Sequence, residues 1–176
     1  MQLDEFNRAD EGAAASVVGV WAAVPAWVQA VVAGRPYPTL DALTARASAL
    51  ADEWTAGDLD AALSRHPRIG QRPVGPGAEA AASRREQSSM ADAAADVTAA
   101  IAAGNQAYEE RFGRVFLVRA AGRTPGQILG ELRRRLGNDD EAEIAESLGQ
   151  LAEIAVLRLR ASVTDAVSER IAPGAD

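Results

Sequence analysis

Residues 138–160 read NDDEAEIAESLGQLAEIAVLRLR, and this stretch decides the fold class. An α-helix advances by about 100° per residue, so with Leu151 set to zero, Ile144 lies at about +20° and Ile154 at about −60°. Leu148, at about +60°, widens these positions into one apolar stripe. The stretch therefore predicts a long amphipathic helix whose stripe packs against a helical core.

Helix-start signals recur along the second half of the chain. They are two capping-box patterns and one proline at a first helical position: Ser83-x-x-Glu86, Asn138-x-x-Glu141 and Thr124-Pro125. These starts predict helices over about 84–103, 139–161 and 125–136. A looser helical tail is expected to continue to about Ile171.

The first half of the chain is also patterned for helices. Residues 13–33 are rich in Ala and Val, and we predict two buried helical pieces broken near Pro25. Further helices are predicted over about 40–54 and 58–65. The second of these must end there, because the residue before Pro67 is disfavoured in the α region.

Two stretches lack helical signals. Residues 68–82 are rich in Gly and Pro and are predicted to form a long surface loop. Residues 115–118, VFLV, are the one strand-like run, and a single run cannot form a sheet, so we predict an extended connector there. The chain is thus predicted to be all-α, a bundle of about eight helices in one domain over residues 1–176. Its core would cover about 3–160 and a helical tail 161–176.

Composition excludes several kinds of chemistry. The 176-residue chain has a net charge of −7, no Cys and one His, and every basic residue is Arg. Without Cys or Lys, there is no thiolate nucleophile, disulfide, Cys-ligated zinc, Schiff base or Walker lysine. One His excludes a multi-histidine metal site. Acid–base chemistry near neutral pH is left to His66 or to a carboxylate with a perturbed pKa.

The charge distribution narrows the class of partner. The acidic net charge disfavours binding to DNA or to anionic membranes. Arg133, Arg134 and Arg135 are consecutive, so they would spread around a helix instead of forming one basic face. Of the charged residues before the 13–33 segment, four are acidic and one is basic, whereas a signal peptide would begin with basic residues. We therefore expect a cytoplasmic protein that binds neither nucleic acid nor a membrane.

Two charged residues fall on helix faces that should be buried. Arg158 lies at about −20°, inside the apolar stripe of the long C-terminal helix, whereas Arg160 lies at about 180° and faces solvent. Because a guanidinium stays protonated, a buried Arg158 requires an anionic partner or ligand. Glu86 lies on the inner face of the helix predicted to begin at Ser83, with Gln87 beside it.

These residues allow a structural and a functional interpretation. In the structural one, Ser83 and Glu86 form a reciprocal helix cap. Arg158 then makes a buried ion pair, for which Glu86 is a candidate, and His66 is a satisfied residue at a helix end. In the functional one, the side chains line a cleft for an anionic small molecule. There Arg158 binds charge, His66 transfers a proton, and Glu86 and Gln87 orient the ligand.

The same residues carry a resemblance to a known family. The pieces occur in order along the chain: His66-Pro67-Arg68-Ile69-Gly70, Ser83-x-x-Glu86-Gln87, Asn105-x-x-Tyr108, Arg111-Phe112-Gly113, Phe116-Leu117-Val118, Asn138, Glu143, Gln150 and Ile154-x-x-Leu157-Arg158-Leu159. Together they resemble the signature of the 2-oxo-4-hydroxy-4-carboxy-5-ureidoimidazoline (OHCU) decarboxylases, over about residues 3–160. No single piece is specific, but their order and spacing are.

The resemblance implies an all-α, often homodimeric enzyme that converts OHCU to (S)-allantoin, the last step from urate, without a cofactor or a metal. The residues that match catalytic positions are His66, Glu86 and Arg158. Those that match substrate-binding positions are Pro67, Ser83, Gln87, Leu117 and Val118, the last two in a segment whose main-chain groups hold the ring or the ureido group. Arg114 and Val115 depart from the family's Phe-Gly-Phe-Pro-Phe pattern, and altered packing is expected there.

Two other functions stay open at this point. The first is a non-catalytic helical module that dimerises or binds a partner, with Glu86 and Arg158 as a buried pair. The second is an enzyme of the same fold that acts on another ureido or imidazole acid.

Overall fold

A computed structural model describes residues 1–64, 68–71 and 77–165. Within these ranges the chain forms nine α-helices and no β-strand: α1 (Leu3–Arg8), α2 (Glu11–Trp21), α3 (Pro25–Ala33), α4 (Leu40–Ala51), α5 (Ala56–Leu63), α6 (Ala78–Glu86), α7 (Ala95–Phe112), α8 (Pro125–Arg135) and α9 (Asp140–Ser162). A short 3₁₀ helix, Ser88–Asp92, joins α6 to α7. The all-α class is confirmed, and the division into one domain over residues 1–176 stays a prediction.

The helices enclose two neighbouring groups of buried apolar side chains. The larger core is built around α9, which packs against α2, α4 and α5 and buries Leu151 and Leu159. The smaller core lies between α7 and α8 and includes Ile101 and Leu132. The apolar stripe predicted along α9 therefore does face a helical core.

The N-terminal apolar segment forms the two predicted pieces. Helix α2 ends at Trp21 and α3 begins at Pro25, where the missing N–H of proline removes no helical hydrogen bond. Trp21 and Trp27, one from each helix, are both buried in the larger core. Among the described residues, no helix combines the length and the apolar character needed to cross a bilayer.

The short helix α5 begins and ends earlier than predicted. Its N-cap is Thr55, whose Oγ1 accepts from the Asp58 N–H while the Asp58 carboxylate accepts from the Thr55 N–H at 2.9 Å. This reciprocal cap places Asp58 in the first turn, not at the start. The preceding α4 likewise stops at Ala51 instead of about residue 54.

The capping box predicted at Ser83 and Glu86 is wrong. These residues lie in the last turns of α6, and the predicted 84–103 helix is replaced by the end of α6, the 3₁₀ helix and α7. Ser83 Oγ and the Glu86 carboxylate bind the guanidinium of Arg158 instead of helical N–H groups. Hydrogen bonds to Arg158 in α9 thus replace the predicted hydrogen bonds of the helix cap. Residues 78–82 are helical where a loop was predicted, and residues 65–67 and 72–76 lie outside the described residues.

The start of α8 was predicted correctly, and α9 agrees to within one residue with the predicted 139–161, although its N-cap residue was not the predicted one. Pro125 is the first residue of α8, as predicted, and Thr124 and Gln127 form a reciprocal cap that was not predicted. At α9 the N-cap is Asp139, which accepts from the Ala142 N–H at 2.8 Å, so the predicted cap at Asn138 is displaced by one residue. This displacement frees the Asn138 amide to bind Glu143.

The predicted helical tail is wrong for residues 163–165, because α9 ends at Ser162. The following backbone pairs with the N-terminus instead. Leu3 N–H donates to the Thr164 carbonyl at 2.8 Å, and Thr164 N–H donates to the Met1 carbonyl at 3.1 Å. Residues 166–176 lie outside the described residues.

The VFLV run lies in the connector between α7 and α8, without strand pairing. Leu117 is buried in the larger core, whereas Phe116 and Val118 are buried in the smaller one. Their side chains alternate between the two cores, which fixes the connector at the boundary between them. The prediction of a connector is confirmed.

Gly104 lets α7 and α8 approach each other. A Cβ placed there would lie 2.5 Å from Leu132 Cδ2, inside the smaller core. We expect Gly104→Ala to lower the free energy of unfolding by about 1–3 kcal/mol through overpacking. Gly149→Ala in α9 is the matched control, since a Cβ there meets nothing within 4 Å. It should raise that free energy by about 0.5–1 kcal/mol in urea denaturation, and equal effects of the two variants would contradict this account.

Candidate active site

A buried ion pair joins α6 to α9. Arg158 is 4% exposed and Nε donates to Glu86 Oε1 at 2.6 Å, while Nη2 donates to Oε2 at 2.8 Å. This two-pronged geometry matches the planar guanidinium to the carboxylate plane. Arg160, two residues further on, is exposed and pairs with Asp41 at 2.8 Å. The predicted faces of both arginines are therefore confirmed.

The other donors of Arg158 tie two more segments to the pair. Nη2 also donates to Ser83 Oγ at 3.2 Å, and Nη1 donates to the Val20 carbonyl at 3.0 Å. A guanidinium carries five N–H groups, so one N–H on Nη1 has no partner among the described residues. Within residues 1–64, 68–71 and 77–165 the pair is thus nearly saturated, and one N–H on Arg158 Nη1 is not used.

Gln87 holds the short described segment 68–71 beside the pair. Its Oε1 accepts from the Gly70 N–H at 3.0 Å, and Asn105 Nδ2 donates to the Ile69 carbonyl at 2.9 Å. The Gln87 amide nitrogen has no partner among the described residues. Gln87 can therefore fix this segment with one end of its amide and donate to a ligand with the other.

The predicted binding residues share one small cavity. It lies where the two cores meet, and its wall includes Ser83, Glu86, Gln87, Leu117 and Val118. Its volume is about 20 Å³, which leaves room for about one water molecule. A larger apolar cleft of about 430 Å³ is lined by both Glu86 and Arg158, and Glu86 is the residue that it shares with the small cavity. His66 and Pro67, the remaining predicted site residues, lie outside the described residues.

Sequence reasoning missed a second buried ion pair behind the connector. Arg135 and Glu143 are both almost fully buried; Arg135 Nε donates to the Glu143 carboxylate at 3.0 Å, and Nη2 makes a further contact with it. Arg135 Nη1 donates to the Leu117 carbonyl at 2.7 Å. Arg135 follows Ile128 by seven residues, so it lies about 20° from that buried side chain on the helix. The calculation of helix faces that places Arg158 inward on α9 would also have placed Arg135 inward on α8.

Tyr108 binds this second ion pair, and its pKa is raised. Its hydroxyl donates to Glu143 Oε1, and its ring packs between Phe112 and Phe116. Burial, followed by the hydrogen bond to Glu143, raises the pKa of Tyr108 to about 12. The phenol is therefore held neutral in the folded protein.

A spectrophotometric titration checks this pKa. The chain has two tyrosines and neither Cys nor Lys, so few other groups titrate between pH 9 and 12. We expect one phenolate to form with a midpoint at about pH 12, and Tyr108→Phe to remove it. Because the folded-state pKa is raised, the stabilisation is complete below pH 10 and is lost as the pH rises towards 12. Ionisation of both tyrosines near pH 10 in the folded protein would contradict the buried hydrogen bond.

Solved structures share the fold. A crystal structure of OHCU decarboxylase in the presence of (S)-allantoin superposes with a TM-score of 0.70 at 23% identity, covering 83% of this chain and 96% of the other. A crystal structure of (S)-allantoin synthase gives a TM-score of 0.67 at 18% identity, covering 93% of this chain and 54% of the other. The chain is therefore an all-α protein of this fold, with a buried carboxylate–guanidinium pair beside an internal cavity.

Sequence comparison identifies the family. The OHCU decarboxylase family profile matches residues 7–160. The mouse 2-oxo-4-hydroxy-4-carboxy-5-ureidoimidazoline decarboxylase is 30% identical over 162 residues, covering 90% of this chain and 91% of the relative. The decarboxylase of Haloferax volcanii is 24% identical over 161 residues, covering 90% and 94%. The chain belongs to the OHCU decarboxylase family.

Proposed function

We propose that this protein decarboxylates OHCU to (S)-allantoin in urate degradation, and that it does so without a cofactor. The observation that carries the proposal is the convergence of five family-matched residues on one cavity: Ser83, Glu86, Gln87, Leu117 and Val118. Arg158, the sixth, binds two of them directly. Family membership supports the reaction, and the geometry supports these residues as its site.

The substrate supplies its own electron sink. When the C–C bond to the carboxylate breaks, CO2 leaves and the electron pair must be delocalised or protonated. Most decarboxylases use a cofactor for this purpose. In OHCU the carboxylate is on a carbon adjacent to a C=N bond, which accepts the pair, and a proton is then delivered to the product. The protein has to place a proton donor and stabilise developing charge.

The proposed roles follow from the residue types. His66 hydrogen-bonds to the hydroxyl and relays the proton as CO2 leaves. Glu86 orients His66 or the ring N–H groups, and Arg158 holds the Glu86 carboxylate in one plane. The N–H on Arg158 Nη1 that no described residue accepts binds the ureido carbonyl or the developing negative charge. Gln87 and the main chain at Val118 bind the remaining polar edge of the substrate.

Substrate binding requires the cavity to enlarge. Its 20 Å³ is far below the about 300 Å³ or more of typical ligand pockets. Glu86 lines both this cavity and the 430 Å³ cleft, so movement of that one side chain would join them. We therefore place the opening of the site at Glu86.

A kinetic assay with a binding control tests the proposal. Freshly generated OHCU should disappear faster than it decays spontaneously, at a rate proportional to protein concentration. (S)-Allantoin should raise the Tm of the protein, because a ligand that binds only the folded state stabilises it. Turnover of a different ureido acid but not of OHCU would point to a related enzyme with another substrate.

One observation also suits a non-catalytic helical module. The Glu86–Arg158 pair is nearly satisfied without a ligand, as a purely structural ion pair would be. That function predicts no turnover and no effect of (S)-allantoin on Tm.

We further propose a cytoplasmic homodimer, and light scattering on the purified protein would measure the oligomeric state.

A further inference from the structure

The main chain around Val118 is held at two successive peptide groups. Arg135 Nη1 donates to the Leu117 carbonyl at 2.7 Å, from α8. The Arg119 N–H donates to Gln150 Oε1 at 3.0 Å, on α9. The groups of Val118 itself, its N–H and its carbonyl, have no hydrogen-bond partner among the described residues.

Peptide geometry then orients the N–H and the carbonyl of Val118. In a planar trans peptide the C=O and N–H point in opposite directions. The Val118 N–H therefore points away from Arg135, and the Val118 carbonyl points away from Gln150. Val118 lines the small cavity, whereas neither Arg135 nor Gln150 does. The two anchors thus leave one donor and one acceptor of Val118 pointing away from the anchors on α8 and α9, and Val118 itself lines the cavity.

Arg135 is itself fixed by a dense set of buried contacts. Its guanidinium binds Glu143 and Ser147, and it lies 4.9 Å from the centre of the Phe116 ring. Glu143 accepts in turn from Tyr108 and from Asn138. Burying two charges is costly, and apolar residues of similar size would often stabilise a core as well. Packing stability alone is therefore a weak reason for this pair, and the hydrogen bond from Arg135 to the Leu117 carbonyl points to a second role.

We infer that Arg135 is a positioning residue. Glu143, which also accepts from Tyr108, holds the Arg135 guanidinium in place. Arg135 in turn sets the plane of the Leu117–Val118 peptide, so that Val118 presents its N–H and carbonyl to the substrate. An adjacent donor and acceptor complement the N–H and C=O of a urea-like group. The inference rests on the proposed function, since it assigns a role in binding the same substrate.

Steady-state kinetics of Arg135→Lys test the inference. An ammonium cannot bind Glu143 in two-pronged fashion and also reach the Leu117 carbonyl, so the peptide should rotate. We expect KM for OHCU to rise by about tenfold to a hundredfold, because misplacement of a binding group by about 1 Å can have effects of that size. The matched control is Arg134→Lys, one residue earlier, where the exposed side chain pairs with Glu131 and Glu146 and KM should stay within about twofold.

The same measurement separates positioning from a purely structural role. A structural role lowers the amount of folded protein, which lowers the rate at saturation but leaves KM unchanged. An unchanged KM in Arg135→Lys, with kcat normalised to the folded fraction by circular dichroism, would therefore overturn the inference. Absence of turnover by the unmodified protein would instead overturn the proposed function on which it rests.

Tyr108→Phe provides a second test of the role of Arg135 if the Arg135→Lys variant does not fold. This change removes the hydroxyl that binds Glu143 and keeps the ring between Phe112 and Phe116. We expect KM to rise by about twofold to fivefold with kcat preserved. A KM equal to that of the unmodified protein would overturn the inference.

Discussion

His66→Asn is expected to lower turnover of OHCU by at least about 10²-fold, and by as much as about 10⁴-fold, which is the range of general acid–base catalysis. Asparagine can keep a hydrogen bond to the substrate but cannot carry a proton near neutral pH. His66 is the one histidine of the chain, so no second imidazole can take over the relay. Initial rates with freshly generated OHCU measure the effect.

The fold should be unaffected by this substitution. The Tm of His66→Asn and its shift with (S)-allantoin should match those of the unmodified protein, which would show that binding is kept while proton transfer is lost. Full turnover in purified His66→Asn would remove the proton relay from the mechanism. Loss of both turnover and ligand binding would assign His66 to binding instead.

Arg158→Lys is expected to lower turnover by about 10²-fold or more. The planar fork binds both oxygens of Glu86 and also reaches Ser83 and Val20, and an ammonium cannot reproduce these four hydrogen bonds. Loss of a single preorganised donor at a reacting charge typically has an effect of this size. The free energy of unfolding should also fall, by about 1–3 kcal/mol.

Arg160→Lys is the matched control for this prediction. It makes the same substitution two residues later on α9, at an exposed side chain paired with Asp41. Turnover and Tm should both stay close to those of the unmodified protein. Near-normal turnover in Arg158→Lys would show that the two-pronged pair with Glu86 is dispensable for the reaction.

The sequence predicts which residues turn inward better than it predicts their partners. The helical period alone places Arg158 inside the stripe of α9, because the period is a local property of the chain. Its partner Glu86 is 72 residues away and Ser83 is 75 residues away. No local pattern measures such distances, so the inward faces made Glu86 only a candidate partner of Arg158, and the family resemblance supported placing these residues in one site.

The wrong predictions share a physical cause. Ser83 and Glu86 have the spacing of a helix cap, but a buried guanidinium binds their oxygens more strongly than helical N–H groups do. A different omission concerns Arg135: Arg133, Arg134 and Arg135 are expected to spread around a helix, but that expectation does not say which of the three is buried. The burial of Arg135 depends on Glu143 from another helix, which the run of arginines does not reveal.

The optical purity of the allantoin formed tests the central claim most directly. Spontaneous decay of OHCU gives both enantiomers, whereas a site that delivers the proton to one face gives a single enantiomer. Circular dichroism of the product should show (S)-allantoin in the presence of the unmodified protein, and a loss of that excess with His66→Asn. Racemic allantoin formed at the spontaneous rate, with the protein folded and in excess, would contradict the account.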